Sequence, residues 1–317
     1  MGTKLRGVAV AWVLVLAACG SGTSGSTGSS SSYQGKTINL GAILSLTGAG
    51  GVYGPSSKKG ADLAVEIINN SGGVNGAKLA LDTQDDASDK AQSAQVAQRL
   101  IQQGKLLALL GPTLSNSAVA VHPLAESFKI PIVAVSTTGI HIVPDCNFPK
   151  TDPCKYVFRD SLGGIPAKIM IEARKQGFAG QFLGGNGFNT AVVSKQAGAD
   201  GKGAQSGSGW YINNTFPSNA AFVKAYKDKY GSAPDQFAAQ GYTGILILAD
   251  AAKRANLTFS DVPGDRSKLR NALESVNIDT PLGRFQFTSS HDVKQTIWII
   301  QMDGTGGFNL VISVSPS

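Results

Sequence analysis

The sequence predicts an α/β fold with a doubly wound parallel sheet, and three observations carry that prediction. Short apolar runs alternate with segments of helical period, as parallel strands joined by crossover helices do. The chain has 317 residues, 42% of them apolar and 15% charged, which is enough for one large or two medium domains with a sizeable core. Its 39 glycines are scattered among the runs, as turns require, and show no fibrous repeat.

Four strands are expected at residues 37–45 (TINLGAILS), 78–84 (KLALDTQ), 105–111 (KLLALLG) and 131–136 (PIVAVS). Leu63, Ala64, Ile67, Ile68 and Asn70 mark a helix after the first strand, and Ala94, Ala97, Leu100 and Ile101 mark one after the second. A third helix should start near Ser115 and stop before Ile130-Pro131, because a residue preceding proline is driven out of the helical region. Further on, Phe222, Val223, Tyr226 and Tyr230 recur at helical spacing, and Phe237, Tyr242, Leu246 and Ala249 continue the pattern in the next helix. Both sets read as core. In open sheets of this kind ligands bind beyond the carboxyl ends of the strands, so the loops to watch are LTGAGGVYG, DDASD, GPTLSNS and STTG.

The N-terminus reads as an address. Lys4 and Arg6 precede an apolar stretch from Gly7 to Ala18, too short for a bilayer span but suited to a secretory leader over residues 1–18. Leu16-Ala17-Ala18-Cys19 resembles the bacterial lipobox, which implies a diacylglycerol on Cys19 and an extracytoplasmic protein held at the membrane. Residues 19–35 are Gly/Ser-rich and read as a flexible tether. Loss of the leader lowers the net charge from +7 to about +5. The remaining cations alternate with acids, so nucleic-acid binding has little support. Cys146 and Cys154, in CNFPKTDPC, are expected to form a loop-closing disulfide on the oxidising side of the membrane. A metal site there would need further Cys or His, and His141 alone is near.

Several motifs recur in a fixed order: Ser45-Leu46-Thr47-Gly48, Tyr53-Gly54, Gly72-Gly73-Val74-Asn75-Gly76, Asp85-Asp86, Gly111-Pro112 with Ser115, and Ser136-Thr137-Thr138. PAKIMIEARKQGF, FLGGNGF, FVKAYKDKYGSAPDQFAAQGYTGILILADA and TPLGRFQF follow. From Lys36 onward the chain resembles the Leu/Ile/Val-binding family of extracellular solute receptors, which deliver ligands to ABC importers. The resemblance implies a type I periplasmic-binding fold with two lobes closing over a small solute. Lobe 1 then takes residues 36–159 and 213–283, and lobe 2 takes 160–212 and 284–317.

It also implies ligand contacts. Ser115 matches the family's serine at the third crossover, Ser136 and Thr138 the pair after the fourth strand, and Tyr53 the cleft aromatic. A helix N-terminus independently suits an anion, since its N–H groups lack acceptors. Ser115 as a plain N-cap and Tyr53 as ordinary loop packing are the competing readings. Asp85 and Asp86 read as a solvated strand end and a helix cap.

The second lobe departs from the family twice. Its turn is Gly185-Asn186-Gly187, where amino-acid receptors carry an acid to pair with the ligand's ammonium. Asn186 offers a carbonyl but no charge, so an amide, a urea-like compound or another carboxylate stands beside an amino acid as candidate ligand. After the hinge segment Tyr156–Asp160, only Ser161, Leu162, Gly163 and Gly164 precede Ile165-Pro166-Ala167. Two βα units, roughly 60 to 80 residues, are missing, because each βαβ unit takes ~30 residues. The shortened lobe should expose an apolar sheet edge or fail to close.

No motif calls for a cofactor, a metal or catalysis. Ser56-Ser57-Lys58-Lys59 matches S-x-x-K without its companion motifs. His122, His141 and His291 read as surface or capping residues. The expectation is a lipid-anchored, non-enzymatic receptor, monomeric unless the shortened lobe pairs, that serves an ABC permease. A ligand sensor on the same scaffold and a non-binding remnant are the alternatives.

Overall fold

A computed structural model describes residues 32–139, 154–161 and 168–315. The first half of the chain runs β1 (Thr37–Leu44), α1 (Gly54–Asn70), β2 (Lys78–Asp85), α2 (Lys90–Gln102), β3 (Ala108–Leu110), α3 (Ser115–Ser127), β4 (Ile132–Ala134) and β5 (Val157–Arg159). These strands form one sheet in the order β2-β1-β3-β4-β5, with every pairing parallel. Being covered on both faces, β1 reads as a near-continuous apolar run, and from Leu40 to Leu44 every residue is buried. Leu40, Ala42 and Leu44 point into one core with Leu63, Ala64 and Ile245, while Ile43 points into the other with Leu100 and Val121.

After β5 come α4 (Lys168–Lys175), β6 (Leu183–Gly184), α5 (Ala191–Gly201), β7 (Gln205–Ser208), α6 (Pro217–Tyr230), α7 (Gln236–Arg254) and α8 (Val262–Leu273). The chain closes with β8 (Asn277–Thr280), β9 (Gly283–Phe287), β10 (Val293–Lys294), β11 (Ile297–Met302) and β12 (Phe308–Val314). A four-stranded sheet, β12-β11-β7-β6, makes the second half, and β8, β9 and β10 form a small antiparallel sheet.

Four expectations need correction. The second sheet is mixed rather than parallel, since only β6 and β7 run together while β11 is antiparallel to both its neighbours. The boundary expected at residue 284 cuts through β9. Phe285, Phe287 and Val293 all pack against the first half's core, so the return to the second half falls after Lys294. The tether expected up to residue 35 ends earlier: Tyr33 is buried, its ring lies edge-on to Phe259 at 5.2 Å, and its hydroxyl donates to Ala252 O while accepting from Leu257 N. His122 and His291 are buried rather than superficial. His291 stacks on Phe158 at 4.1 Å, and burial together with Arg270 holds its imidazole below its usual pKa, in the neutral form.

The outer strands of the second sheet carry exposed apolar side chains: Leu183 of β6 is 74% exposed, and Leu310, Val311, Ile312 and Val314 of β12 are exposed as well. Its own core consists of Met170, Phe188, Val193, Ala197, Ala204 and Met302.

Candidate functional site

The site begins with two helices whose backbones touch. A Cβ on Gly60 of α1 would lie 1.9 Å from Ala238 O, and one on Gly241 of α7 would lie 2.1 Å from Ser57 O. Only glycine permits this approach. It brings the N-termini of α1 and α7 side by side, and Ser56 Oγ donates to the α7 cap, Asp235, at 2.9 Å. Consequently Tyr53, just ahead of α1, packs on Phe237 in the first turn of α7 with ring centroids 4.7 Å apart. Burial raises the Tyr53 phenol above its ordinary pKa, so it is a neutral donor.

The ends of β3 and β4 supply the polar wall. Ser115 is the first residue of α3, with Leu114 in the cap position, so the plain N-cap reading of Ser115 does not hold. Its Oγ accepts from Thr138 N at 2.9 Å and Gly139 N at 3.0 Å, and so ties the loop after β4 to the start of α3. Arg159 pins the same loop from behind: Nη1 donates to Gly139 O at 2.8 Å, while Nε and Nη2 grip the Asp292 carboxylate. The first intrahelical bond of α3 runs from Ala118 N to Leu114 O, so the Ser115 and Asn116 amides have no acceptor within the helix. Ser136 sits in the left-handed region at φ 69° and donates its hydroxyl to Gln240 Oε1 at 2.9 Å. Its side chain is thereby committed to α7 more than to a ligand.

From the second half, the turn Asn186–Phe188 closes the space. Tyr53 Oη donates across to Gly187 O at 3.3 Å. Asn186 is 2% exposed, and its Oδ1 finds no hydrogen-bond partner among the described residues. Tyr53, Thr113, Leu114, Ser115, Ser136, Thr138, Asn186, Gly187 and Phe237 together line one cavity of about 110 Å³. All five residues singled out in the sequence therefore meet in one hollow. Thr113 and Phe237 were missed: Thr113 because Oγ1 capture of Ser45 N joins residues 68 apart, and Phe237 because its helical spacing marks it equally well as core.

Asp85 and Asp86 are structural. Asp85 accepts from the amides of Leu46, Thr47 and Ala87 and from Thr47 Oγ1, which holds the loop after β1. Asp86 is buried against Ser93, and the cap of α2 is Asp89. Asp85 is the half-exposed end of β2, as expected; Asp86, expected as a helix cap, is instead buried beside Ser93. Beneath Ser136, Asp160 is fully buried; burial drives its carboxyl well above the usual range, with the Ser136 amide and Arg159 opposing only in part. Cys19, His141 and Cys146 lie outside the described residues. Cys154 is buried among the side chains of α2, α3 and β5.

The model of the periplasmic binding protein family matches residues 37–162 and 150–307. The chain belongs to that family. The two matches meet and overlap at the segment where the sequence skips two expected units. The Leu/Ile/Val-binding protein homolog 1 of Brucella abortus is 38% identical over 339 aligned positions, covering 81% of this chain and 88% of that protein. Since 81% of 317 residues is about 257, about 80 of those positions find no residue here. Leu/Ile/Val-binding protein homolog 3 of Brucella melitensis is 33% identical over 102 residues, which spans 32% of this chain and only 27% of that protein. Among solved structures, the branched-chain amino acid transporter substrate binding protein LivJ of Streptococcus pneumoniae, in complex with isoleucine, superposes with a TM-score of 0.77 at 21% identity, covering 89% of this chain and 100% of that one. The leucine binding protein LivK of Thermotoga maritima gives 0.76 at 20% identity, covering 88% and 99%. At these identities the structures show the fold, a type I periplasmic-binding α/β architecture. Family membership implies an extracytoplasmic receptor, and among the described residues no helix is long and apolar enough to cross a membrane.

Proposed function

We propose that this receptor captures a small polar solute between its two halves and presents it to an ABC permease. The observation that carries the reading is the cavity in which the start of α3, from the first half, faces the Asn186–Phe188 turn of the second. A carboxylate or carbonyl group fits the Ser115 and Asn116 amides and the positive end of α3. Tyr53 and Phe237 cover the side. Contact with both halves makes the ligand favour the closed arrangement, which is how a solute would signal occupancy to a permease.

Size narrows the class. An apolar cavity of about 150 Å³ holds one benzene, so 110 Å³ suits a molecule no larger than glycine, alanine, acetamide or urea. The relatives' names point to branched side chains, which would need the halves to stand further apart. A thermal-shift screen of those four compounds and leucine tests this, because a ligand of the folded state raises the midpoint by mass action. A rise with one of the small compounds and none with leucine is expected. Leucine raising the midpoint most would overturn the size assignment, and no rise with any compound would support a non-binding remnant instead.

The same proposal holds the chain at the membrane through a lipid on Cys19, with lobes divided near residues 160, 213 and 295. Detergent partitioning that Cys19→Ala abolishes, and a Cys146–Cys154 pair that resists alkylation until reduced, are the expected results.

A further inference from the structure

The five parallel strands of the first half share a feature at their amino ends. Lys36 precedes β1, Lys78 opens β2, and Lys105, Lys129 and Lys155 stand two or three residues ahead of β3, β4 and β5. All five are exposed. The ladder registers, Thr37 with Lys78, Leu40 with Ala108, Leu109 with Ile132 and Ile132 with Val157, bring them to nearly one level. In the strand order β2-β1-β3-β4-β5 they make a row across the end of the sheet: Lys78, Lys36, Lys105, Lys129, Lys155. At about 4.8 Å per strand the row spans about 19 Å.

Neighbouring acids leave this charge standing. No ion pair among the described residues includes any of the five lysines. Asp250, Asp265, Glu274 and Asp279, on elements around this end, meet Arg254, Lys268, Arg270 and Arg284, while Glu126 and Asp261 accept backbone amides. Helix dipoles account for part of the pattern, since Lys78 Nζ donates to Asn69 O at the end of α1. Yet α2 and α7 already carry Arg99, Lys253 and Arg254 in their last turns.

The chain enters the fold at the same face. Tyr33 N donates to Asn75 O at 2.7 Å, and Lys36 N donates back to Tyr33 O at 3.0 Å. Residues 20–32 therefore leave from beside Lys36. A Gly/Ser chain of that length has a root-mean-square reach of about 20 Å, so a lipid on Cys19 would hold the lysine row close to a bilayer. The solute cavity lies beyond the opposite, carboxyl ends of the strands.

We infer that the lysine-bearing end of the first half is a membrane-docking face, for a surface of anionic phospholipid. Each lysine near such a surface strengthens attachment about fivefold. A receptor docked this way turns its solute cavity away from the bilayer. The choice of a membrane as partner rests on the tether proposed above, whereas the following experiment uses a chain without the lipid, so the docking face and the tether can fail separately.

Sedimentation with vesicles tests the face. The full chain carrying Cys19→Ala is mixed with vesicles of phosphatidylglycerol and phosphatidylcholine in equal parts, or of phosphatidylcholine alone. At about 0.02 M salt, binding to the anionic vesicles is expected to exceed binding to the neutral ones by at least about tenfold, and about 0.5 M salt should abolish the difference. Lys→Gln at 36, 78, 105, 129 and 155 together should remove at least about nine-tenths of the anionic binding, and Lys→Arg at the same positions should retain it. Lys→Gln at 90, 195, 202, 224 and 227, which makes the same change in net charge elsewhere, should alter it less than about threefold. Equal binding of the parent chain to both vesicles, or equal losses in the two Lys→Gln sets, overturns the face. Circular dichroism establishes folding; if the five-site Gln variant does not fold, Lys36→Gln with Lys105→Gln decides, a loss of at least about fivefold supporting the face and a smaller one overturning it. Soluble poly-glutamate that is bound more tightly than the anionic vesicles would assign the row to an acidic polypeptide and overturn the membrane.

Discussion

The half built on β1 to β5 and the half built on β6, β7, β11 and β12 obey the same α/β logic with unequal means. In the first, five parallel strands are covered by helices on both faces, and three of them, β1, β3 and β4, have a strand on either side. In the second, β6 is two residues long and pairs with one strand among the described residues, and Leu310, Val311, Ile312 and Val314 of β12 are exposed. A parallel half-molecule draws its stability from crossovers that bury both faces, and a half with few of them has strands with hydrogen bonds but little core. The difference also assigns labour at the cavity: the first half holds the polar wall rigidly, and the second contributes one short turn.

The largest test of this contrast is in the first half. Gly60→Ala forces a methyl into Ala238 O across the α1/α7 seam, and a loss of about 3 kcal/mol or more is expected in urea denaturation, since overpacking of a tight contact typically costs 1–3 kcal/mol and sometimes more. A loss under about 1 kcal/mol would mean the seam does not set the geometry. Native-state hydrogen exchange compares the halves directly. Amides of β7 and β11 should open at least about 2 kcal/mol more easily than those of β1 and β3, with equal protection contradicting the ranking.

Smaller effects sharpen the picture at the cavity. Ser115→Ala leaves the Thr138 and Gly139 amides without their acceptor, and a destabilisation of about 1–2 kcal/mol is expected together with about tenfold weaker solute binding. Asn186→Asp restores the acid that amino-acid receptors of this kind carry. It should favour alanine over acetamide relative to wild type, and an unchanged preference would remove Asn186 from the ligand's surroundings. Asp160 supplies a pH signature. Its folded-state pKa is raised, so the stability it contributes is present below the ordinary carboxylate pKa and is lost as pH rises through the raised value. Asp160→Asn should flatten the stability profile over that window, and an unaltered slope would show the carboxyl to be less buried than it is here.

Much of the first half was legible in the sequence because its signals are local. The apolar run at 37–45, the helical spacing of Leu63 and Ile67 and the proline after Ile130 each announce one element without reference to the rest. Tyr53, Ser115, Ser136, Thr138 and Asn186 were legible through the order of motifs around them, and they do share one hollow. What escaped was long-range. Arg159 anchors the loop after β4 only because Asp292, 133 residues away, meets it. Tyr33 looks like the end of a polar tether until Phe259 and the carbonyl of Ala252 are beside it. Asp85 reads as no more than a solvated strand end because the Leu46 and Thr47 amides that bind it belong to another loop. The missing units were visible as a gap in spacing, but not that the remaining strands would pair as a mixed sheet.

The central claim is that two unequal halves close on one small solute through Ser115 on one side and Asn186 on the other. Isothermal titration of the full-length protein with alanine and acetamide, in wild type and in the Ser115→Ala, Asn186→Asp double variant with both single variants, addresses it most directly. Saturable one-to-one binding that each single change alters, by about tenfold for Ser115→Ala, is the predicted result. Binding that neither residue affects would contradict the account.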